Sequence, residues 1–453
     1  GINASLISYV GDDLVGKQSN FLPPDHFQQT TISPISTRTS ATDIGMYLTS
    51  IVAAFDLGFI TKADALERFT KTFATLAKLD LLHGHFFNWY DIATLKAMPP
   101  SYVSTVDSGN LACALLVCAT ALKDLPVAPP KTLRGLGDLL AIAKQEADPV
   151  LAGQLGRLNS LAAIQTEING IEVDKNSELG YWIGKIKDLV AQSNKPNDQV
   201  KFSRECQKLS CQAEKFAMDM DFSFLFDPKR NLFKIGFNLF NKTFDRNYYD
   251  MFASESRMAS LFAIAKYEAP LKHWTTLARP MTAYKAKTAL LSWGGSVFEY
   301  LFPNLFLPNY QNSLLAETYQ TVVSGHIDYG QKNRIPWGIS ESSYGLMNKD
   351  GHYRYKLHGV PDFGLKQFSY KDLVVTPYAV FLAMEIFPRQ AYQNIRWLEK
   401  DGLLNIYGLY ESIDYTSYES GPIPDRVIKA YLCHHQGIIL SAITNMLNNF
   451  SIR

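Results

Sequence analysis

Two acidic residues sit in sequence settings suited to glycosidic-bond chemistry. The stretch Arg334-Ile-Pro-Trp-Gly-Ile-Ser-Glu-Ser-Ser-Tyr344 places Glu341 beside Trp337, Tyr344, a proline and a glycine. Pro336 and Gly338 argue against an uninterrupted helix, so a loop is predicted after the helical pattern Leu314–Gly330. Aromatic rings near a loop carboxylate can stack on sugar faces while the acid handles the glycosidic oxygen. The same glutamate also reads as a surface acid in a helix-capping box. The second acid, Glu255, lies in Met251-Phe-Ala-Ser-Glu-Ser-Arg257. Residues 247–268 read as helical, with Tyr248, Met251, Phe252, Ala259 and Phe262 on one stripe. Its helix-face neighbours are small or apolar, which turns Glu255 inward in this reading. A buried acid needs a partner, either Arg257 or a substrate hydroxyl. An ion pair joining two helices is the structural alternative. Glycoside cleavage uses two such carboxyls, one charged and one kept protonated by an apolar setting.

A third cluster holds Glu411 and Asp414 with Tyr407, Tyr410 and Tyr415. These acids suit sugar hydroxyls or support of the other two, and Asp414 reads equally as a turn cap. Asp107, in Asp-Ser-Gly-Asn before a helix, reads first as an N-cap. No metal site is expected. His83/His85 and His434/His435 lack the helical spacing of zinc motifs, and no Cys-x-x-Cys pair joins them. Adjacent histidines on a helix face different ways, so at most one of His434 and His435 meets a given site; hydrogen bonding to substrate is its expected role. Phosphate-binding glycine loops and the Gly-x-Ser-x-Gly elbow are absent from the sequence, so neither a nucleotide cofactor nor a serine-hydrolase site has support.

The elements that would position these residues are mostly helices. Residues 1–40 read as an extended arm. Helices follow over 44–58 and 61–79, then an aromatic, aperiodic segment Leu82-His-Gly-His-Phe-Phe-Asn-Trp-Tyr-Asp91 and a helix over 111–122. A long aromatic segment between helices is expected to be functional. Helical patterns at 131–147, 150–165, 177–192 and 198–219 are more charged and look peripheral. Pro126, Pro129, Pro130 and Ser193-Asn-Lys-Pro-Asn197 would bound this excursion, roughly 130–220. Phe222–Phe237 reads as a hairpin. Gly294, Gly295 and Pro303 interrupt 290–310, and His352–Leu365 looks strand-like. Helices are predicted at 376–387, 390–401 and 424–447.

The chain has 453 residues and a net charge of +1, with 44 basic against 43 acidic side chains, so nucleic-acid binding is not expected. Its 24 Tyr, 27 Phe and 6 Trp suit a carbohydrate groove beside a large core. Five cysteines, an odd number, point to a reducing compartment and not to a disulfide framework. The apolar runs Leu111–Leu122 and Tyr378–Met384 look too short to span a bilayer. A start at Gly1 is read as that of an excised piece whose targeting information lies outside it.

Several motifs resemble the glycoamylase-like domain of bacterial cyclic β-1,2-glucan synthases. They are Leu22-Pro-Pro-Asp25, Arg38-Thr-Ser40, Gly84-His-Phe-Phe-Asn-Trp-Tyr-Asp91, Val103-Ser-Thr-Val-Asp-Ser-Gly-Asn110, Met220-Asp-Phe222 and Phe226-Asp-Pro228. The run continues with Ala253-Ser-Glu-Ser-Arg257, Pro336-Trp-Gly-Ile-Ser-Glu341, Gly359-Val-Pro361, Tyr410-Glu-Ser-Ile-Asp-Tyr415 and His434-His-Gln-Gly437. These motifs span nearly the whole chain in order. The resemblance implies a mainly α (α/α)6 toroid over 41–453, with small hairpins and long loops building the site at one end. It also implies cyclisation of linear β-1,2-glucan by retaining transglycosylation; a related family of the same fold hydrolyses that glucan. Carried across, the catalytic pair falls on Glu255 and Glu341, as nucleophile and acid/base respectively, with the exchanged roles left open. The acid in such enzymes can reach the glycosidic oxygen through a substrate hydroxyl. One departure is Ser256, where a small residue such as Ala is expected. The substrate-binding set expected from the resemblance and the motifs is Arg38, His85, Trp89, Tyr90, Asp107, Arg257, Trp337, Tyr344, Tyr410, Glu411, Asp414 and His434. No cofactor is implied. The full synthases add a membrane-embedded glycosyltransferase and a phosphorylase-like domain, which would set this domain at the cytoplasmic face of the bacterial inner membrane.

Overall fold

A computed structural model describes residues 14–194, 198–365, 372–405, 407–419, 421, 423 and 425–453. The start of the expected arm (1–13), part of the 193–197 break (195–197) and the first residue of the expected 424–447 helix lie outside the described residues. The fold is mainly α, with short antiparallel strand pairs at helix ends.

The first pair of helices is α1 (Ala41–Leu57) and α2 (Lys62–Leu76). Both open with reciprocal capping boxes, Ser40/Asp43 and Thr61/Asp64, which satisfy orphan amide donors at both starts. Every residue of α1 is buried, whereas α2 buries one face. Helix α3 (Thr105–Asp124) begins further upstream than its apolar run suggests, with Ser104 as its N-cap and Asp107 inside its first turn. At 20 residues with a mean hydropathy of 1.5, α3 is long and apolar enough to cross a membrane, against the expectation from its apolar run alone. Here it is a core helix, packed on α1 and on later helices.

The charged stretch that follows forms α4 (Thr132–Glu146), α5 (Pro149–Leu155), α6 (Leu161–Glu167) and α7 (Glu178–Ser193). The single helix expected over 150–165 is thus two, separated by residues 156–160. Helix α8 (Gln199–Met218) returns to the main body and packs on α2 and α3.

A hairpin pairs Phe226–Asp227 with Leu232–Phe233. The long helix expected over 247–268 is only α9 (Arg257–Ala265). Ser254 adopts φ +56°, a left-handed conformation that stops the helix short of Glu255. The apolar spacing in 247–256 is real, but Met251, Phe252 and Ala253 are buried from turns. Next come α10 (Lys272–Thr276), α11 (Val297–Leu301), α12 (Leu314–Asn333), α13 (Pro377–Leu382), α14 (Pro388–Lys400) and α15 (Cys433–Leu447). Upstream of α15, where helix was expected, the chain is extended: Ala430–Leu432 pairs with His26–Gln28 of the arm.

The buried helices α1, α3, α9 and α15 meet through close backbone approaches. A Cβ on Gly109 of α3 would lie 2.6 Å from the Ala259 amide nitrogen of α9, and one on Gly437 of α15 would lie 2.8 Å from Met46 Cβ of α1. These contacts draw the N-terminal ends of the four helices together.

Candidate active site

The drawn-in helix ends open onto a cleft of about 340 Å³. Arg38, Trp89, Asp107, Glu255, Glu341 and His434 of the expected set line it. Asp25, His26, Thr42, Asn88, Ser254, Phe298, Tyr353 and Tyr355 line it too and were not singled out as candidate site residues in the sequence. A larger cavity of about 590 Å³ lies at the opposite ends of α1 and α3, among Ile51, Phe55, Leu116 and Phe262. It is apolar, and two of its charged residues, Lys131 and Asp56, bind each other at 2.5 Å. The smaller cleft, lined by both Glu255 and Glu341, is therefore the candidate site.

Glu255 stands in the turn before α9 and is 5% exposed. Asn110 Nδ2 donates to its Oε1 at 2.7 Å, and Ser254 Oγ donates to its Oε2. Burial pushes its carboxyl above the usual range, the Ser254 and Asn110 bonds oppose that, and nearby Asp107 adds to it. Asp107 Oδ1 accepts from Thr42 Oγ1 at 2.6 Å. The Asn88 amide, oriented by its neighbours, donates to Asp107 Oδ2 at 2.8 Å and accepts from Trp89 Nε1 at 3.1 Å. Helix α3 thus carries Asp107, on the lining of the cleft, and Asn110, buried against Glu255, one turn apart.

Glu341 ends the irregular segment after α12 and directly precedes the strand Ser342–Met347. Tyr355, on the paired strand Tyr353–Lys356, donates its hydroxyl to Glu341 Oε1 at 3.1 Å. The Glu341 carboxyl is pushed up to about 8, first by burial and then by Glu255 and Glu299, with His434 opposing. The strand after Glu341 is braced from behind. Glu411 accepts from the Ser343 amide at 3.1 Å and from His435 Nδ1 at 3.0 Å, and Asp414 accepts from the Gly345 amide at 2.8 Å. The Tyr378 hydroxyl lies 2.9 Å from the Glu341 carbonyl.

Arg38 lies 4.0 Å over the Trp89 ring and 3.3 Å from Asp25 Oδ2. Pairing of Arg38–Ser40 with Trp89–Asp91 fixes both on one wall. His434 opens α15, and its Nδ1 lies 3.0 Å from Asp43 Oδ1.

The remaining expected residues lie behind these walls. His85 is fully buried between Ser108 Oγ at 2.9 Å and the Asp221 carbonyl at 2.8 Å, and burial holds its imidazole down to about 4. The Tyr90 hydroxyl donates to the Asp80 carbonyl at 2.6 Å. Arg257 sits under the ring of Phe252 and donates to the carbonyls of Glu299 and Tyr300 at 3.2 and 2.8 Å. Trp337 exchanges two backbone hydrogen bonds with the Asn394 amide, at 3.1 and 2.8 Å. Tyr344 packs edge-on against His358, with Lys356 over its ring. The Tyr410 hydroxyl donates to Gln29 Oε1 at 2.7 Å. Glu411 and Asp414 brace the strand as described. Among the described residues, one group, Asp25, Asp43 and His434, brings three possible metal-ligand atoms within 4.8 Å of one another. Within it, Asp43 Oδ1 is hydrogen-bonded to His434 Nδ1, and Asp25 Oδ2 is paired with His26 and Arg38 outside the group.

Comparison with known proteins places this architecture. Residues 247–451 match a family model described as putative glucoamylase. The cyclic β-(1,2)-glucan synthase NdvB of Rhizobium meliloti is 34% identical over 491 residues, an alignment covering 97% of this chain. The chain spans 17% of that protein's length. An endo-β-1,2-glucanase from Chitinophaga pinensis, solved with sophorotriose and glucose, superposes with a TM-score of 0.67 at 14% identity, over 99% of this chain and 92% of its own. A putative glucoamylase from Bacteroides fragilis superposes with a TM-score of 0.67 at 15% identity, over 99% and 91%. Over nearly its whole length the chain is thus similar to one part of a bacterial cyclic β-1,2-glucan synthase, and over 247–451 to the glucoamylase family model.

Proposed function

We propose that this chain is a retaining transglycosylase that closes linear β-1,2-glucan into rings, with Glu255 and Glu341 as its two catalytic carboxyls. The observation that carries the reading is one cleft lined by both acids, in unequal surroundings. Asn110 and Ser254 both donate to Glu255 and favour its anion, whereas Tyr355 alone donates to Glu341, whose carboxyl is drawn toward its protonated form at neutral pH. Glu255 then attacks the anomeric carbon as the linkage breaks, and Glu341 passes its proton to the departing 2-oxygen. In the second half Glu341 takes the proton of the chain's own non-reducing-end 2-hydroxyl. That oxygen displaces Glu255 and closes the ring. Arg38, Trp89, Asp107 and His434 would bind the sugars along the cleft. The aromatic walls help exclude water, which favours closure over hydrolysis.

The same resemblance and the superposed folds support an (α/α)6 toroid spanning 41–453, with 130–220 as a peripheral excursion. By kinship with the synthase, the domain would work in a longer protein beside a membrane glycosyltransferase and a phosphorylase-like domain, at the cytoplasmic face of the inner membrane.

Incubation with linear β-1,2-glucan and mass spectrometry tests the reaction. Rings, each lighter by one water than the equal-length chain, are expected. Linear oligosaccharides would make the domain an endo-glucanase instead, and glucose from starch would make it a glucoamylase. Glu255→Gln and Glu341→Gln are each expected to abolish ring formation with the fold retained. Trapping with a fluorinated glycosyl donor and peptide mapping locates the covalent sugar, expected on Glu255; a label on Glu341 would exchange the roles.

A further inference from the structure

The proposed mechanism does not use two buried carboxylates beside His434, Asp25 on the lining of the cleft and Asp43 behind it. Asp25 is 6% exposed, and Asp43 is fully buried in the first turn of α1. Both face His434, which opens α15 and lines the cleft with Glu341. Asp43 Oδ1 is 3.0 Å from His434 Nδ1, while Asp43 Oδ2 accepts from the Ser40 amide at 3.0 Å and the Ser40 hydroxyl at 2.7 Å. Asp25 Oδ2 meets His26 Nδ1 at 2.9 Å and Arg38 Nη2 at 3.3 Å. Other titratable groups around the ring are His435, with centroids 4.2 Å apart, Tyr355, with centroids 6.5 Å apart, and Glu411 and Glu341. Asp43 is hydrogen-bonded to this imidazole and an oxygen of Asp25 lies within 4.8 Å of it, so two buried carboxylates favour a positive charge on the ring. A hydrogen-bonded cation satisfies them and leaves no lone pair at Nδ1 for a metal.

We propose that Asp43, with Asp25 behind it, is a positioning residue that holds His434 as an imidazolium facing Glu341, so that Glu341 titrates against a fixed positive charge. The proposal rests on the reading of Glu341 as a catalytic carboxyl. Its consequence is a coupling between the arm, α1 and the reaction: an unpartnered His434 loses its charge, and Glu341 then keeps its proton to higher pH. Burial alone would push the His434 imidazole down, but the Asp43 bond and the charges of Asp43 and Asp25 bring it up to about 9.

Histidine-labelled NMR of the intact chain tests this without substrate. There are nine histidines, and His434→Gln assigns the one signal needed. In the native protein the His434 ring is expected to titrate well above the ordinary value near 6.5, with Nδ1 protonated at neutral pH. Asp43→Asn should move its midpoint down, and Glu341, followed by side-chain carboxyl labelling, should move up. Asp43 also closes the Ser40 capping box, so Asp25→Asn provides a second variant with a smaller movement in the same direction. On linear β-1,2-glucan, the alkaline limb of the rate profile should shift to higher pH in Asp43→Asn. Ordinary titration of His434 in the native chain overturns the proposal, as does an unchanged midpoint in folded Asp43→Asn and Asp25→Asn. If the native chain does not act on the glucan, the reaction reading fails while the ring titration still decides this one.

Discussion

Asn110 and Glu255 are 145 positions apart in the chain, yet the Asn110 amide donates to Glu255 Oε1 at 2.7 Å and to Thr42 Oγ1 at 3.0 Å. One side chain of α3 therefore ties α1 to the turn before α9. Hydrogen bonds to charged groups contribute about 1.5–3 kcal/mol. Asn110→Ala should then lower kcat/KM for glucan roughly ten- to a hundredfold, mainly through kcat, because the bond matters most when Glu255 is charged. Initial rates across a range of glucan concentrations check this. A loss confined to KM would place Asn110 in substrate binding instead.

Tyr355 makes the one hydrogen bond to the Glu341 carboxyl among the described residues. That bond favours the ionised form, so Tyr355→Phe should let Glu341 hold its proton to higher pH. The expected result is a loss of roughly two- to tenfold at the optimum and an alkaline limb displaced upward. A pH–rate series on both proteins checks it; a limb displaced downward contradicts the donor role.

Arg257 illustrates a different use of a buried cation. Its guanidinium meets the Glu299 and Tyr300 carbonyls at the end of α11, where last-turn carbonyls lack helical partners. Arg257→Gln should destabilise the fold by about 2–3 kcal/mol, read as a lower denaturant midpoint. The protein that remains folded should bind glucan with KM within about twofold of native, since Arg257 does not line the cleft. Unchanged stability with a raised KM would instead return Arg257 to the substrate.

The contrast between these residues explains what the sequence could disclose. Glu341 was legible because Pro336 and Gly338 rule out a helix locally, and Trp337 and Tyr344 make the stretch unusual. Even so, both rings are buried and support the loop. Glu255 was legible as an inward acid, but its helix was not: the left-handed Ser254 interrupts an apolar pattern that otherwise has helical spacing. Capping logic found a first-turn acid in Asp107 but missed that Ser104 holds the cap. Asn110, Tyr355, Asp43 and Asp25 were not legible as site residues, because the contacts that bring them to the site, with Glu255, Glu341 and His434, are made only in the folded chain. Likewise, the strand Ala430–Leu432 is specified by its pairing with His26–Gln28, so helical periodicity alone overran it. Glu411 and Asp414 looked like substrate acids by composition; their amide partners, Ser343 and Gly345, became visible only once the hairpin folded.

His434 and His85 should give pH effects of opposite sign. His434 titrates at about 9 in the folded chain, above the value near 6.5 expected when unfolded. Its contribution to stability is therefore fully present below pH 6.5 and lost as pH rises through 9. His85 titrates at about 4 when folded, because burial disfavours its charge. The unfolded chain then binds the extra proton first, so stability is lost as pH falls from 6.5 toward 4. Melting temperatures of native, His434→Gln and His85→Asn proteins from pH 4 to pH 10 separate the two. The native advantage over His434→Gln should shrink between pH 6.5 and 9, and that over His85→Asn should shrink between 6.5 and 4. A native advantage over His434→Gln that grew with alkalinity would show that the ring is neutral beside Asp43, because only an imidazolium loses its attraction on deprotonation.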